Sequence, residues 1–203
     1  MSFALATPEA ADEMRKFIKK AGGEATWDRL AEYLEVEGSG KEKFVINRSF
    51  EVPIETMFKM WTDPKHFSKW LAPTGFNMEF IRADIQVGGT TFYFMSNDAG
   101  MKIYGRTKYL EIKNPDTLVY SQQFCDENEN ASRHPMVPTW PETMLTTVKL
   151  FEEGHDSTRV TVTWEVHGPS TKEELETFIR SKGGMTVGWT GSFDKLEVYL
   201  ENL

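Results

Sequence analysis

RVTVTWEVHGPSTKEELETFIRSKGGMTVGWTGSFDKLEVYL, residues 159–200, carries both halves of the fold in one run. Val160, Val162, Trp164 and Val166 alternate with Arg159, Thr161, Thr163 and Glu165. That two-residue period is a strand with one face inward. Ser170 with Glu173 then fits a capping box. Leu175, Phe178, Ile179, Met185, Trp189, Phe193, Leu196 and Leu200 keep one apolar stripe over about eight helical turns. Gly183 and Gly184 interrupt the stripe. Two adjacent glycines cost about 2 kcal/mol relative to alanine in a helix interior, which predicts a kink there. A half-buried strand followed by a long one-sided helix predicts a bent helix lying across the concave face of a sheet.

The rest of the chain supplies that sheet. Phe44 to Phe50 reads as a strand. Val52 and Pro53 open a helix with inner face Ile54, Met57, Phe58 and Trp61, and Asp63-Pro64 restarts a second short turn through Phe67, Trp70 and Leu71. From Asn77 the period changes to two. Phe92 and Phe94 alternate with Thr91 and Tyr93, and Leu118, Tyr120, Gln122 and Phe124 alternate with Val119, Ser121 and Gln123. Turn signals at Gly88-Gly89, Asn97 to Gly100, Asn114-Pro115-Asp116 and Glu153-Gly154 join the strands as successive hairpins. The fold class is therefore α+β, a curved antiparallel sheet wrapped around a long C-terminal helix, over residues 43–203.

Residues 1–40 read as a small helical extension. Thr7, Pro8 and Glu9 start one amphipathic helix, which carries Met14, Phe17, Ile18 and Ala21 and stops at Gly22-Gly23. Trp27, Leu30, Ala31 and Leu34 mark a second, and Gly38 to Gly40 form a joint. Neither helix can bury its stripe alone. They are expected to dock on the main domain or on a second copy of the chain, as a homodimer.

The 203 residues carry a formal net charge of -8. That charge repels phosphate backbones and anionic lipid, so neither nucleic acid nor a membrane surface is an expected partner. Cys125 is the only cysteine, which excludes an intramolecular disulfide and reads as a small buried strand residue in a reducing compartment. The start of the chain has no basic n-region followed by an apolar run, and no stretch approaches the roughly 18 apolar residues of a membrane helix. The expected location is the cytoplasm.

Catalytic and metal motifs are absent. His66, His134, His155 and His167 are far apart in sequence, with no HxH or HxxxH spacing, so no metal and no cofactor is expected. There is no GxSxG elbow, and Gly88-Gly89 lacks the Lys-Ser/Thr of a phosphate loop. What remains is the space between helix and sheet. The inward aromatics and methionines are its candidate ligand-binding residues: Trp70, Phe76, Phe92, Phe94, Tyr104, Tyr120, Met144, Trp164, Met185, Trp189 and Phe193. The alternative for each is plain core filling. Gln122 joins them because it shares a strand face with Tyr120 and Phe124, and Arg106 shares one with Tyr104. A polar group aimed into an apolar pocket needs a partner, since a bare one costs about 1–3 kcal/mol. One slip in strand parity would move every residue of that strand out of the pocket. Asp126 to Pro141 is long for a hairpin loop. Its three prolines, with Met136 and Trp140, suit a pocket lid, an interface, or a cover on the sheet edge.

Particular runs carry a family resemblance: FKMWTDPKHFSKWLAP (58–73), GRTKYLEIKNPDTLVYSQQF (105–124) and GMTVGWTGSFDKLEVYL (184–200). In order and content they resemble the START-like (SRPBCC) superfamily, in the branch named after the C-terminal domain of the activator of the heat-shock-protein-90 ATPase. SRHPMVPTWPETMLTTVKLFEE (132–153) resembles a bacterial subgroup of that branch. The resemblance covers residues 43–201 and implies the helix-grip fold. It implies a cavity holding a small apolar or aromatic molecule. Two other functions occur in the superfamily. One is an enzyme of the polyketide cyclase, aromatase or hydrolase kind, for which His66, Arg106 and Glu165 are the available acids and bases. The other is a protein-interaction module with a chaperone partner. The eukaryotic co-chaperone carries a large N-terminal domain where this chain has its 40-residue extension, which weighs against that partner.

Overall fold

Each alternating segment becomes a strand in the computed structural model, which describes residues 42–203. The strands are β1 (Lys43–Phe50), β2 (Asn77–Ala83), β3 (Thr90–Ser96), β4 (Lys102–Lys113), β5 (Thr117–Cys125), β6 (Met144–Glu152) and β7 (Thr158–Val166). They form one antiparallel sheet of seven strands in the order β1-β7-β6-β5-β4-β3-β2. Strands β2 to β7 are a meander. Strand β1 closes it by pairing with β7, Phe44 opposite Trp164 and Phe50 opposite Thr158. The two helices expected for residues 1–40, their docking and the homodimer lie outside the described residues.

Helices α1 (Ile54–Thr62) and α2 (Pro64–Trp70) lie between β1 and β2, and α3 (Lys172–Arg180) and α4 (Lys182–Leu200) end the chain. Asp63 stops α1 and starts α2, its carboxylate accepting from the Lys65 amide with Pro64 in the first turn. The face of α1 differs slightly from the sequence expectation: Ile54, Met57, Met60 and Trp61 are buried, and Phe58 is half-buried.

The C-terminal half departs from expectation in two places. The capping box is Thr171 with Glu174, one residue later than Ser170 with Glu173. Both frames fit the same motif, and the observed one leaves Glu174 able to bind Arg133 as well, 2.5 Å away. The helix break falls at Ser181, whose hydroxyl donates to the Thr177 carbonyl at 2.8 Å. Gly183 and Gly184 sit inside the first turn of α4, where unbonded amides reduce what glycine loses.

The core fills the angle between the sheet's inner face and helices α1, α2 and α4. Trp61, Trp70, Phe193, Leu118, Val148 and Leu196 are fully buried there, each side chain contributing about 1.5–3 kcal/mol by leaving water. Trp61 lies 4.6 Å from Trp70 and stacks at 6.1 Å on Trp189 of α4, joining the helices through indole rings.

Candidate ligand cavity

Toward the β3–β5 end of the sheet the helices do not reach the strands, and a cavity remains. Its larger chamber measures about 670 Å³. A smaller one of about 240 Å³ shares Pro73, Tyr93, Ile103, Gln122, Phe124, His134, Trp164 and Met185 with it, so the two are one continuous space. That size suits a small organic ligand.

Two loops close the sides, and each is held by a helix. Residues 71–76 are tied to α4. Ser192 Oγ donates to the Leu71 carbonyl at 2.7 Å, and Lys195 Nζ reaches the carbonyls of Ala72, Pro73 and Phe76 at 2.9, 3.3 and 2.5 Å. Burial pulls the Lys195 ammonium below its usual range. The long proline-bearing segment is tied to α3. Arg133 donates to Glu174 and to the Trp140 carbonyl, and the Thr139 and Thr177 hydroxyls lie 2.9 Å apart. His134, Met136, Val137, Trp140 and Pro141 of this segment wall the larger chamber.

Eight of the sequence candidates border the cavity. Phe76 and Met144 line the larger chamber, Tyr104, Tyr120 and Trp189 the smaller, and Gln122, Trp164 and Met185 both. Trp70, Phe92, Phe94 and Phe193 border neither. Trp70 is core, its Nε1 donating to the Met60 carbonyl at 3.2 Å. Phe193 is core between Phe50 and Trp189. Phe92 and Phe94 are a parity correction: on β3 the cavity is lined by Tyr93 and Met95, so the two phenylalanines face the other side of the sheet. There they pack on the ring of Tyr104, which pairs with Phe94, at 6.0 and 5.8 Å, so the Tyr104 ring belongs to the outer face although the residue borders the smaller chamber. Lys102 Nζ lies 4.6 Å from the Phe94 centroid. The pairing of Phe92 with Arg106 puts Arg106 on that outer face too, where it donates to Gln123 Oε1. Four bulky residues in a row, Phe92 to Met95, give no alternation from which to choose a face.

The acids and bases proposed from sequence are elsewhere. His66 Nδ1 lies 2.8 Å from the Tyr199 hydroxyl, Glu165 pairs with Lys43, and neither borders the cavity. Cys125 is buried at the end of β5, and burial raises its thiol. Among the described residues no cluster of three or more His, Cys, Asp or Glu is placed to hold a metal ion.

The polar groups that do face the cavity are few, and the charged ones, Glu142 and Arg180, are exposed residues bordering the larger chamber. Gln122 borders both chambers, and among the described residues its side-chain amide has no hydrogen-bond partner. The buried indole N–H groups of Trp164 and Trp189 are also unpaired, although their rings pack 5.6 Å apart. Burial raises the Tyr93 and Tyr120 hydroxyls far above the usual phenol range, so both stay protonated. His134 was not a sequence candidate for this site. Its Nδ1 accepts from the Met136 amide at 3.1 Å, which leaves the proton of the neutral ring on Nε2. Burial holds its pKa below the usual histidine value, favouring that neutral ring. The smaller chamber has no Asp, Glu, Lys or Arg in its wall.

Residues 51–201 match the model of a family described as activator of Hsp90 ATPase homolog 1-like protein. None of the curated proteins searched matches the sequence. Solved structures share the fold. A protein of Arthrobacter aurescens is 24% identical with a TM-score of 0.67, covering 79% of this chain and 87% of its own. One of Mycobacterium smegmatis is 19% identical with a TM-score of 0.64, covering 78% and 90%. The AHSA1 protein of Silicibacter pomeroyi is 18% identical with a TM-score of 0.60, covering 79% and 98%.

Proposed function

The chain belongs to the family of activator of Hsp90 ATPase homolog 1-like proteins, and from that premise we propose that it is a binding protein for a small apolar or aromatic molecule held between the sheet and α4. The observation that carries this reading is the Gln122 amide, without a partner among the described residues, in the mostly apolar wall that the two chambers share. Gln122 is half-buried, so solvent reaches its amide while the cavity is empty; a ligand that covered it without bonding it would cost about 1–3 kcal/mol. A ligand carbonyl or hydroxyl would remove that cost while its apolar body covers Phe124, Trp164 and Met185. The unpaired indole donors of Trp164 and Trp189 favour an acceptor oxygen in the same way.

Binding, rather than turnover, fits the smaller chamber, which has no Asp, Glu, Lys or Arg in its wall, while Glu142 and Arg180, both exposed, border the larger one. The three acids and bases available to an enzyme reading from sequence, His66, Arg106 and Glu165, border neither chamber. No helix among the described residues is long and apolar enough to cross a membrane, and the proposed setting is the cytoplasm. Native mass spectrometry of the purified protein, set beside the same sample after denaturing extraction, tests the reading. A mass difference released on denaturation identifies the ligand class. A native mass equal to that of the bare chain, with no uptake of added aromatic compounds, overturns it.

A further inference from the structure

The glycines of α4 fall into two kinds. Gly191 has a packing reason, since a Cβ there would stand 2.5 Å from Thr74 Oγ1 and 3.1 Å from its amide. Gly183, Gly184 and Gly188 have none: a Cβ on each meets nothing within 4 Å. Glycine inside a helix costs roughly 1 kcal/mol against alanine, so an unfilled position calls for another explanation. Gly188 is half-buried and Gly184 is exposed, and both border the cavity. Gly184 borders the larger chamber and Gly188 the smaller. With Ser181 and Ser192 they occupy one flank of the helix at i, i+3, i+7 and i+11, where every side chain is small. Gly183 borders neither chamber.

A second observation points to an occupant of this space. Trp189 is 6% exposed, borders the smaller chamber beside Gly188, and its indole N–H has no partner. The wall opposite the glycines carries the unpaired Gln122 amide. Glu142 and Arg180 border the larger chamber, but no formally charged side chain lines the smaller one at the Gly188 end, so a charged group placed there would lose its hydration with nothing to replace it.

Resting on the binding reading above, we propose that Gly184 and Gly188 form a flat backbone track, one helical turn long, against which the ring system of an uncharged planar ligand lies. Two glycines one turn apart expose about 6 Å of bare helix, roughly the length of a fused bicyclic ring. A side chain at 188 would occupy the ring's place.

The test uses N-phenyl-1-naphthylamine, an uncharged fluorophore, and 8-anilinonaphthalene-1-sulfonate, which is the same skeleton with one negative charge. Wild type, Gly183→Ala, Gly188→Ala and Gly188→Leu are titrated with both, and each thermal midpoint is recorded. Gly188→Ala, in the helix interior, is expected to raise the midpoint by about 2–4 °C, and Gly183→Ala, in the first turn, by less. Gly183→Ala binds the neutral probe as wild type does. Gly188→Ala loses about tenfold in affinity and Gly188→Leu about a hundredfold or more, as expected for overpacking. The sulfonate binds wild type at least tenfold more weakly than the neutral probe.

Affinities of both Gly188 variants within twofold of wild type would overturn the glycine track while leaving the binding reading intact. So would a lowered midpoint in Gly188→Ala, which would show that the position is filled. Equal affinity for the two probes would overturn the preference for an uncharged ligand. Failure of wild type to bind the neutral probe would overturn the binding reading and this inference together.

Discussion

The ring of Tyr93 lies so close over Gly105 that a Cβ on residue 105 would stand 2.6 Å from both its hydroxyl oxygen and its ζ carbon. The two are directly paired across β3 and β4. Glycine at 105 therefore lets the tyrosine lie down on the sheet, and that posture clears the cavity above it. Gly105→Ala is expected to destabilise by about 1–3 kcal/mol, as overpacking does, and to weaken ligand uptake by raising the ring. Urea denaturation measures the first effect. In a Tyr93→Leu background the same substitution should cost clearly less, since the clash is with the phenol.

Phe94 and Trp189 separate the two faces of the sheet. Phe94→Ala removes a ring from the outer face and should leave probe affinity unchanged. Trp189→Ala removes a ring that packs on Trp61, Trp164 and Phe193, and should cost about 3–5 kcal/mol of stability as well as binding. Fluorescence titration beside thermal unfolding distinguishes them.

His134 gives a pH dependence of defined sign. Burial lowers its folded-state pKa below the ordinary 6.5, so between the two values the unfolded chain binds more protons than the folded one. Stability therefore falls as pH drops through 6.5 and levels off below the folded-state pKa. The exposed His155 is shifted upward by its own backbone and by Asp156, and acts in the opposite sense. The quantity to measure is thus the difference in unfolding free energy between wild type and His134→Phe from pH 7.5 to 5. It should shrink or change sign toward acid, against a flat difference if His134 titrates normally.

Gln122→Leu exchanges the unpaired amide for an apolar side chain of similar size. Affinity for naphthalene should rise, and affinity for 2-naphthol should fall relative to it by about tenfold, the worth of one hydrogen bond. Calorimetric titration with the two compounds reads the change directly.

Much of the frame was legible because the chain states it more than once. Strand β7 alternates valines with threonines, and β5 alternates Leu118, Tyr120 and Gln122 with smaller or polar residues, so each has one possible inner face. Asp63-Pro64 marks a helix restart that no tertiary contact could disguise. The site was less legible for physical reasons. Phe92 to Met95 is bulky on both faces, so parity came only from pairing with β4. Gly105, Gly184 and Gly188 matter through the space they leave, which no periodicity records. His134 enters the wall because Arg133 and Thr139 pin its loop to α3, a contact between distant parts of the chain.

The central claim, that the space bordered by Gln122, Trp164 and Trp189 holds a small aromatic molecule, is tested most directly by the indole N–H resonances of the protein's six tryptophans. With ¹⁵N-labelled protein and added N-phenyl-1-naphthylamine, the account predicts saturable shifts for Trp164 and Trp189. The Trp70 indole, already bonded to the Met60 carbonyl, should stay in place. Stationary Trp164 and Trp189 resonances at millimolar probe, or shifts confined to tryptophans outside the cavity, would contradict it.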